Sequence, residues 1–464
     1  MVNVVPQPVS FTPSDGIFPL EGASVGGRLA GYAAQVLGLD VSAAEEHSVT
    51  LALVPGHGPE AYRLEVAPHS ISLTADHDAG LFYGIQTLRQ LVSGDGVPAG
   101  TIVDYPRFAY RGAMLDVARH FFSVADVKRY IDDIALLKFN HLHLHLTDDQ
   151  GWRIQIDSWP ELTGIGASTQ VGGNGGGFYT KDEYREIVEY AASRFVTIVP
   201  EIDMPGHTNA AISAYPELGD APVEPYEGIE VGFSSLKIRS DRTYLFLADV
   251  VRELAELTPG PYLHLGGDES LATTDEDFLL FIARATALGA ATGKTVIGWH
   301  EMGRSGELPP GTIGQYWSFT TPQEGAAEHT LSFVKQGGRV IMSPADVAYL
   351  DMAYEVDAPL GLVWANGPTT LKQAYGWDPA EVVPGLDDEH ILGVEAPLWT
   401  ETLSTIEHLE EMAFPRAAAI AETAWSPRAV AEADESQRFA DFTSRLLSLS
   451  AVWDAAGIRH RPIS

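Results

Sequence analysis

Two adjacent carboxylates, Asp268 and Glu269, end the run Tyr262-Leu263-His264-Leu265-Gly266-Gly267-Asp268-Glu269. The apolar residues of that run read as a buried strand, and the paired glycines as its end. An unpartnered carboxylate is costly to bury, so acids at the end of a buried strand point to chemistry rather than stability. Barrel enzymes carry their reactive groups just beyond the C-terminal ends of parallel strands. Ordinary glycosidases set two carboxyls across the scissile bond, about 5–5.5 Å apart for retention and about 6.5–9.5 Å for inversion. Neighbours in sequence are poorly placed to straddle a sugar in that way. One of the pair is better suited to steering a nucleophile that belongs to the substrate, such as the carbonyl oxygen of a 2-acetamido group. The other then protonates the leaving oxygen.

Such a pair needs a scaffold. Past Asp104-Tyr105-Pro106-Arg107-Phe108, which breaks both helical and strand periods, short apolar runs alternate with helical stretches. Strands are predicted at 113–116, 141–146, 196–199, 262–265, 295–299, 313–317, 339–342 and 391–396. Ser123 with Asp126 caps a helix that buries Val127, Ile131, Ile134 and Ala135, and Thr180 with Glu183 forms a capping box for a helix ending near Arg194. Eight strand–helix units predict an α/β protein, a TIM (β/α)8 barrel over residues 105–464. Residues 1–104 read as a small α+β domain, with strands at 48–54, 62–66 and 70–75 and a helix over 79–92. The Gly-rich segment 172–177 lacks the strand-to-helix setting and Lys of a phosphate site, and reads as a mobile loop.

A barrel requires its functional residues to gather past the strand ends, and polar residues recur there in turn. They are Arg119 and His120; Asp148 and Asp149; Glu201, Asp203 and His207; Asp268 and Glu269; Trp299, His300 and Glu301; Trp317; Tyr349 and Asp351; Trp399 and Glu401. The aromatics suit the C–H faces of a sugar, and the acids and Arg119 suit its hydroxyls.

Several long motifs then carry a resemblance. Arg111-Gly112-Ala113-Met114-Leu115-Asp116-Val117-Ala118-Arg119-His120, His143-Leu144-His145-Leu146-Thr147-Asp148-Asp149-Gln150 and Pro200-Glu201-Ile202-Asp203-Met204-Pro205-Gly206-His207 precede the acid pair. Glu395-Ala396-Pro397-Leu398-Trp399-Thr400-Glu401 follows it. In this order they resemble glycoside hydrolase family 20, the β-N-acetylhexosaminidases, especially the bacterial ones, over nearly the whole chain. The resemblance implies that Glu269 is the general acid and later base, and that Asp268 orients the 2-acetamido group. It implies that Tyr349 bonds the acetamido oxygen, that Trp299 and Trp317 wall its methyl, and that Trp399 underlies the ring. Arg119 and Glu401 would hold outer hydroxyls, with Asp351 beside Tyr349, Trp364 a further candidate for closing the pocket, and Asp148 with His207 a relay to Glu269. The activity implied is exo-acting, retaining removal of terminal β-linked N-acetylglucosamine, with N-acetylgalactosamine also open, and no metal or organic cofactor.

Composition agrees with a sugar hydrolase and removes several rivals. The chain has 464 residues, 45% of them hydrophobic, with 29 Lys and Arg against 63 Asp and Glu, a formal net charge of −34. Such a surface repels nucleic acid and anionic membrane, and suits a neutral oligosaccharide or other small substrate. With no cysteine, thiolate zinc sites and cysteine nucleophiles are excluded. Met1-Val2-Asn3-Val4-Val5-Pro6 has neither the basic region nor the apolar core of a secretory leader. The expectation is therefore cytoplasmic, or extracellular if a leader has been removed. Two readings compete: a metal-dependent barrel hydrolase built on His141, His143 and His145, which share a strand face, and an inactive sugar-binding protein. The intact Glu269 speaks against the second. Oligomeric state is left open by the sequence.

Overall fold

The computed structural model describes residues 2–42, 47–94, 96–428 and 434–463; the stretches between carry no predicted element or site residue. The chain divides into two compact units. One is Met1–Ala109 with Asp133–Lys138 and Ala417–Ser464, and the other is Tyr110–Asp132 with Phe139–Arg416. By compactness the C-terminal segment groups with the first unit. The reason is local: helix Glu435–Ala456 buries Phe442, Leu446, Leu449 and Trp453. Its Arg445 donates to both oxygens of Glu422 at 2.6 Å and to the Val4 carbonyl at 3.0 Å.

The first unit holds a seven-stranded sheet: β1 (Ser10–Phe18), β2 (Ser24–Gly27), β3 (Asp40–Val41), β4 (Ser48–Leu53), β5 (Tyr62–Ala67), β6 (Ser70–Ala75) and β7 (Val97–Asp104). Their order is β1-β7-β5-β6-β4-β2-β3. Pairings from β1 to β6 are antiparallel, and those from β6 to β3 are parallel. Three of these strands, β4, β5 and β6, were legible as apolar runs. Strand β1 was not, because it is an edge strand, largely exposed, that carries Pro13 and Gly16.

The second unit closes eight parallel strands into a barrel. They are β8 (Tyr110–Asp116), β9 (His141–His145), β10 (Thr197–Glu201), β11 (Tyr262–His264), β12 (Thr295–Trp299), β13 (Ile313–Tyr316), β14 (Val340–Met342) and β15 (Ile391–Ala396). All eight predicted strands are present within a few residues. Ser123 and Thr180 cap as expected, the latter in a full capping box for Lys181–Ser193. The Gly-rich segment is tied down rather than free: Gly172 N–H donates to the Glu227 carbonyl at 2.9 Å and Gly177 N–H to that of Ala167 at 3.0 Å. Arg153 also donates to the Gly177 carbonyl at 3.1 Å. Among the described residues no helix is long and apolar enough to cross a membrane.

The barrel interior changes character along its axis. One layer is mostly aliphatic, with Val199, Ile297, Ile313, Ile341 and Leu392 around Tyr110. The next is polar, formed by inward residues of alternate strands. Glu395 accepts from Tyr110 Oη at 2.5 Å, from His143 Nδ1 at 2.9 Å and from Gln315 Nε2 at 2.6 Å. Glu201 meets His143 Nε2 at 3.0 Å, His264 Nδ1 at 2.8 Å and His145 Nδ1. A polar layer this deep depends on such pairing, though His264 Nε2 and Gln315 Oε1 are buried without a hydrogen-bond partner.

Candidate active site

The polar layer continues upward into the loops. His145 Nε2 donates to Asp148 at 2.8 Å, and Asp148 also meets Arg119 Nη2 at 2.8 Å and His207 Nδ1 at 3.2 Å. The other nitrogen of His207 lies 3.5 Å from Glu269 Oε2 and 3.8 Å from Asp268 Oδ2. A column of imidazoles and carboxylates thus runs from Tyr110 to His207, whose Nε2 lies near both acids without a hydrogen bond to either. Burial disfavours charge on His143 and His145, but their carboxylate partners outweigh it and raise them to about 10 and about 9. His207 is likewise raised, by Asp148 foremost, against burial. Asp148 is held well below the carboxylate range by Arg119 and His207 despite its burial. These paired charges fix the imidazoles in place.

The turn after β11 delivers the acids. Gly266 and Gly267 adopt φ 66° and 99°, and a Cβ on Gly266 would stand 1.7 Å from Asp203 Oδ1. Only glycine allows this approach, in which Asp203 Oδ1 accepts from Gly267 N–H at 3.1 Å. Glu269 (φ 39°) and His207 (φ 56°) also lie in the left-handed region, which costs non-glycine residues about 1–3 kcal/mol each. Strain gathered at these two groups marks the turn as built for position rather than stability.

A cavity of about 310 Å³ opens above them. Ten of the twelve sequence-predicted residues border it: Arg119, Asp148, His207, Asp268, Glu269, Trp317, Tyr349, Trp364, Trp399 and Glu401. Trp299 and Asp351 stand one layer back. Trp299 has no exposed surface and packs with Trp399 at 6.0 Å and His264 at 4.8 Å. Asp351 accepts from Trp399 N–H at 3.3 Å, bracing the residue that does face the cavity. Trp364, 46% exposed, lies at the mouth, with its ring 5.8 Å from Tyr349 and 6.0 Å from Trp317. Sequence reasoning missed three cavity residues, Ile229, Val231 and Leu362. They sit in long irregular loops whose apolar residues carry no periodic signal.

The cavity is electrostatically divided. On one wall Arg119 lies 4.9 Å from the centre of the Trp399 ring and opposes the effect of burial on Glu401, whose pKa is nonetheless raised. On the other, burial raises Asp268 to about 7, with Glu301 and Glu269 adding to the effect against the pull of His207. Asp268 Oδ1 is buried without a hydrogen-bond partner. Burial, reinforced by the charge of Asp268, raises the Tyr349 phenol, which keeps it a donor. Both acids border the cavity and lie beside the same histidine nitrogen.

Clusters such as His143–Glu201–His264 and Asp203–His207–Asp268 bring ligand-type atoms close enough to surround a cation. Around the β9 histidines the geometry fits hydrogen bonding better. Each ring nitrogen of His143 and His145 already faces a carboxylate, while Asn140 occupies His141 Nδ1 at 2.6 Å. The three histidines of β9 serve successive layers and converge on no common point. His120 is tied to the Thr400 carbonyl at 2.6 Å and does not border the cavity.

Comparison with known proteins places this geometry in a family. Residues 108–428 match the glycosyl hydrolase family 20 catalytic domain and residues 1–105 its domain 2. A β-N-acetylhexosaminidase of Cellulomonas fimi is 42% identical over 99% of this chain and 95% of its own length. The solved β-N-acetylhexosaminidase of Streptomyces coelicolor A3(2) is 45% identical with a TM-score of 0.94, covering 99% of this chain and 97% of that one. An exo-β-N-acetylglucosaminidase of Vibrio harveyi, solved with N-acetylglucosamine, is 31% identical with a TM-score of 0.84 over 99% and 78%. The chain belongs to glycosyl hydrolase family 20.

Proposed function

We propose that this protein is an exo-acting, retaining β-N-acetylhexosaminidase that removes terminal β-linked N-acetylglucosamine with the substrate's own acetamido oxygen as nucleophile. One observation carries the reading: Asp268 and Glu269 border one cavity beside a single histidine, and one Asp268 oxygen is buried without a hydrogen-bond partner. In the first step the acetamido carbonyl oxygen bonds to the anomeric carbon as the glycosidic bond breaks. Glu269 gives its proton to the leaving oxygen, and Asp268 accepts the acetamido N–H and stabilises the positive charge of the oxazolinium. Tyr349 donates to the attacking oxygen. In the second step Glu269, now a carboxylate, takes a proton from a water whose oxygen bonds to the anomeric carbon as that carbon's bond to the acetamido oxygen breaks, which restores the original anomeric configuration. Trp399 offers the floor for the sugar, while Arg119 and Glu401 hold its outer hydroxyls.

The test compares β-aryl glycosides of N-acetylglucosamine, N-acetylgalactosamine and glucose. Turnover of the acetamido sugars at least a thousandfold above the glucoside is expected, since the glucoside lacks the nucleophile. Comparable rates on the glucoside would refute the mechanism. The ratio of the two acetamido sugars fixes the gluco or galacto preference.

A further inference from the structure

A second cavity, about 300 Å³, shares Glu269 and Trp317 with the first and is bordered also by Glu301, Arg304, Gln323 and His329. Trp317 packs against the core around Trp299 and Tyr349, but it also borders both cavities, so packing alone holds it less firmly and directional contacts add to its position. Trp317 has one. Its indole Nε1 donates to Glu301, whose two carboxyl oxygens both lie at 3.0 Å. Glu301 belongs to the one-turn helix His300–Arg304 directly after β12, and it does not border the first cavity.

This carboxyl is an expensive choice of acceptor. Burial raises it to about 7 and the nearby Glu269 adds to that, against the hydrogen bond from Trp317. The fold would be better served by a neutral side chain, as an acid buried beside other acids destabilises. Its position is explained if the wall it holds must not move.

We propose that Glu301 is a positioning residue for the hydrolysis, acting through Trp317 to hold the wall of the sugar pocket between the two cavities. This rests on the function proposed above and on the place beside the acetamido methyl that the family resemblance implies for Trp317. Glu301→Ala removes the acceptor and frees the indole. Its KM for the β-aryl N-acetylglucosaminide and its Kd for free N-acetylglucosamine, measured by calorimetry, rise about tenfold, the loss expected for a hydrogen bond to a charged group. Glu301→Gln retains an oxygen for the indole and stays within about threefold of wild type, which separates positioning from folding. Trp317→Phe shows the same rise as Glu301→Ala, and the double variant is no worse than Trp317→Phe alone. The proposal is overturned if Glu301→Ala leaves KM and Kd within about twofold, if Glu301→Gln is as impaired as Glu301→Ala, or if the two losses multiply in the double variant. Failure of the parent reading looks different: the wild-type enzyme would then show no preference for the acetamido sugar over the glucoside.

Discussion

Replacing Asp268 by Asn tests the substrate-assisted step most directly. The carboxylate stands 3.8 Å from His207 Nε2, and the oxazolinium is taken at a similar contact distance. At about 4 Å and an effective dielectric constant of about 20, two full charges attract by about 4 kcal/mol. The oxazolinium divides its charge between nitrogen and oxygen, so roughly half of that attraction is felt at the nitrogen end. The charge-assisted hydrogen bond from the acetamido N–H adds about 1.5–3 kcal/mol. The residue is almost fully buried, so solvent screens little of this. Asparagine matches the shape and keeps a neutral acceptor, so it loses the ionic attraction and about 1 kcal/mol of the hydrogen bond, about 3 kcal/mol in all, or on the order of a hundredfold in kcat. The assay is release of a chromogenic aryl group from the β-N-acetylglucosaminide, with KM followed alongside. Because charge develops chiefly in the transition state, kcat carries the loss and KM changes only a few-fold. A decrease in kcat of less than tenfold would show that the carboxylate does not stabilise the intermediate.

The same variant has an opposite effect on stability. Asp268 is raised on folding from an ordinary value of about 4 to about 7, so between those values the folded state keeps a proton that the unfolded state has lost. Stability therefore declines as pH rises through that window, and Asp268→Asn should melt above wild type at about pH 8 but not at about pH 4; equal melting temperatures at both would remove the claim of a strained acid. Gly266→Ala should abolish turnover by driving a methyl group into Asp203, which would sit 1.7 Å from it; activity near wild type would mean the turn relaxes freely. Prolonged treatment with a chelator should leave the rate unchanged, because the ring nitrogens of His143 and His145 are engaged by carboxylates; loss of activity restored by a divalent cation would revive the metal-dependent alternative.

The sequence alone determined the barrel and most of the site. Eight apolar runs alternating with capped helices leave few ways to bury both faces of a parallel sheet, so β8 to β15 and their order follow from pattern. Residues just past those strands must converge, which is why ten of the twelve predicted residues meet in one cavity. Local pattern could not reveal what depends on distant partners. Edge strand β1 buries too little to show a period, and the C-terminal helix joins the first unit through Arg445 and Glu422. The seats of Trp299 behind the floor and Trp364 at the mouth depend on where separate loops meet, as does the engagement of Trp317 by Glu301. Residue types and spacing name the groups that reach the end of a barrel. Only packing in three dimensions decides which of them face the sugar and which hold the others still, because burial and hydrogen bonding join residues that the chain keeps far apart.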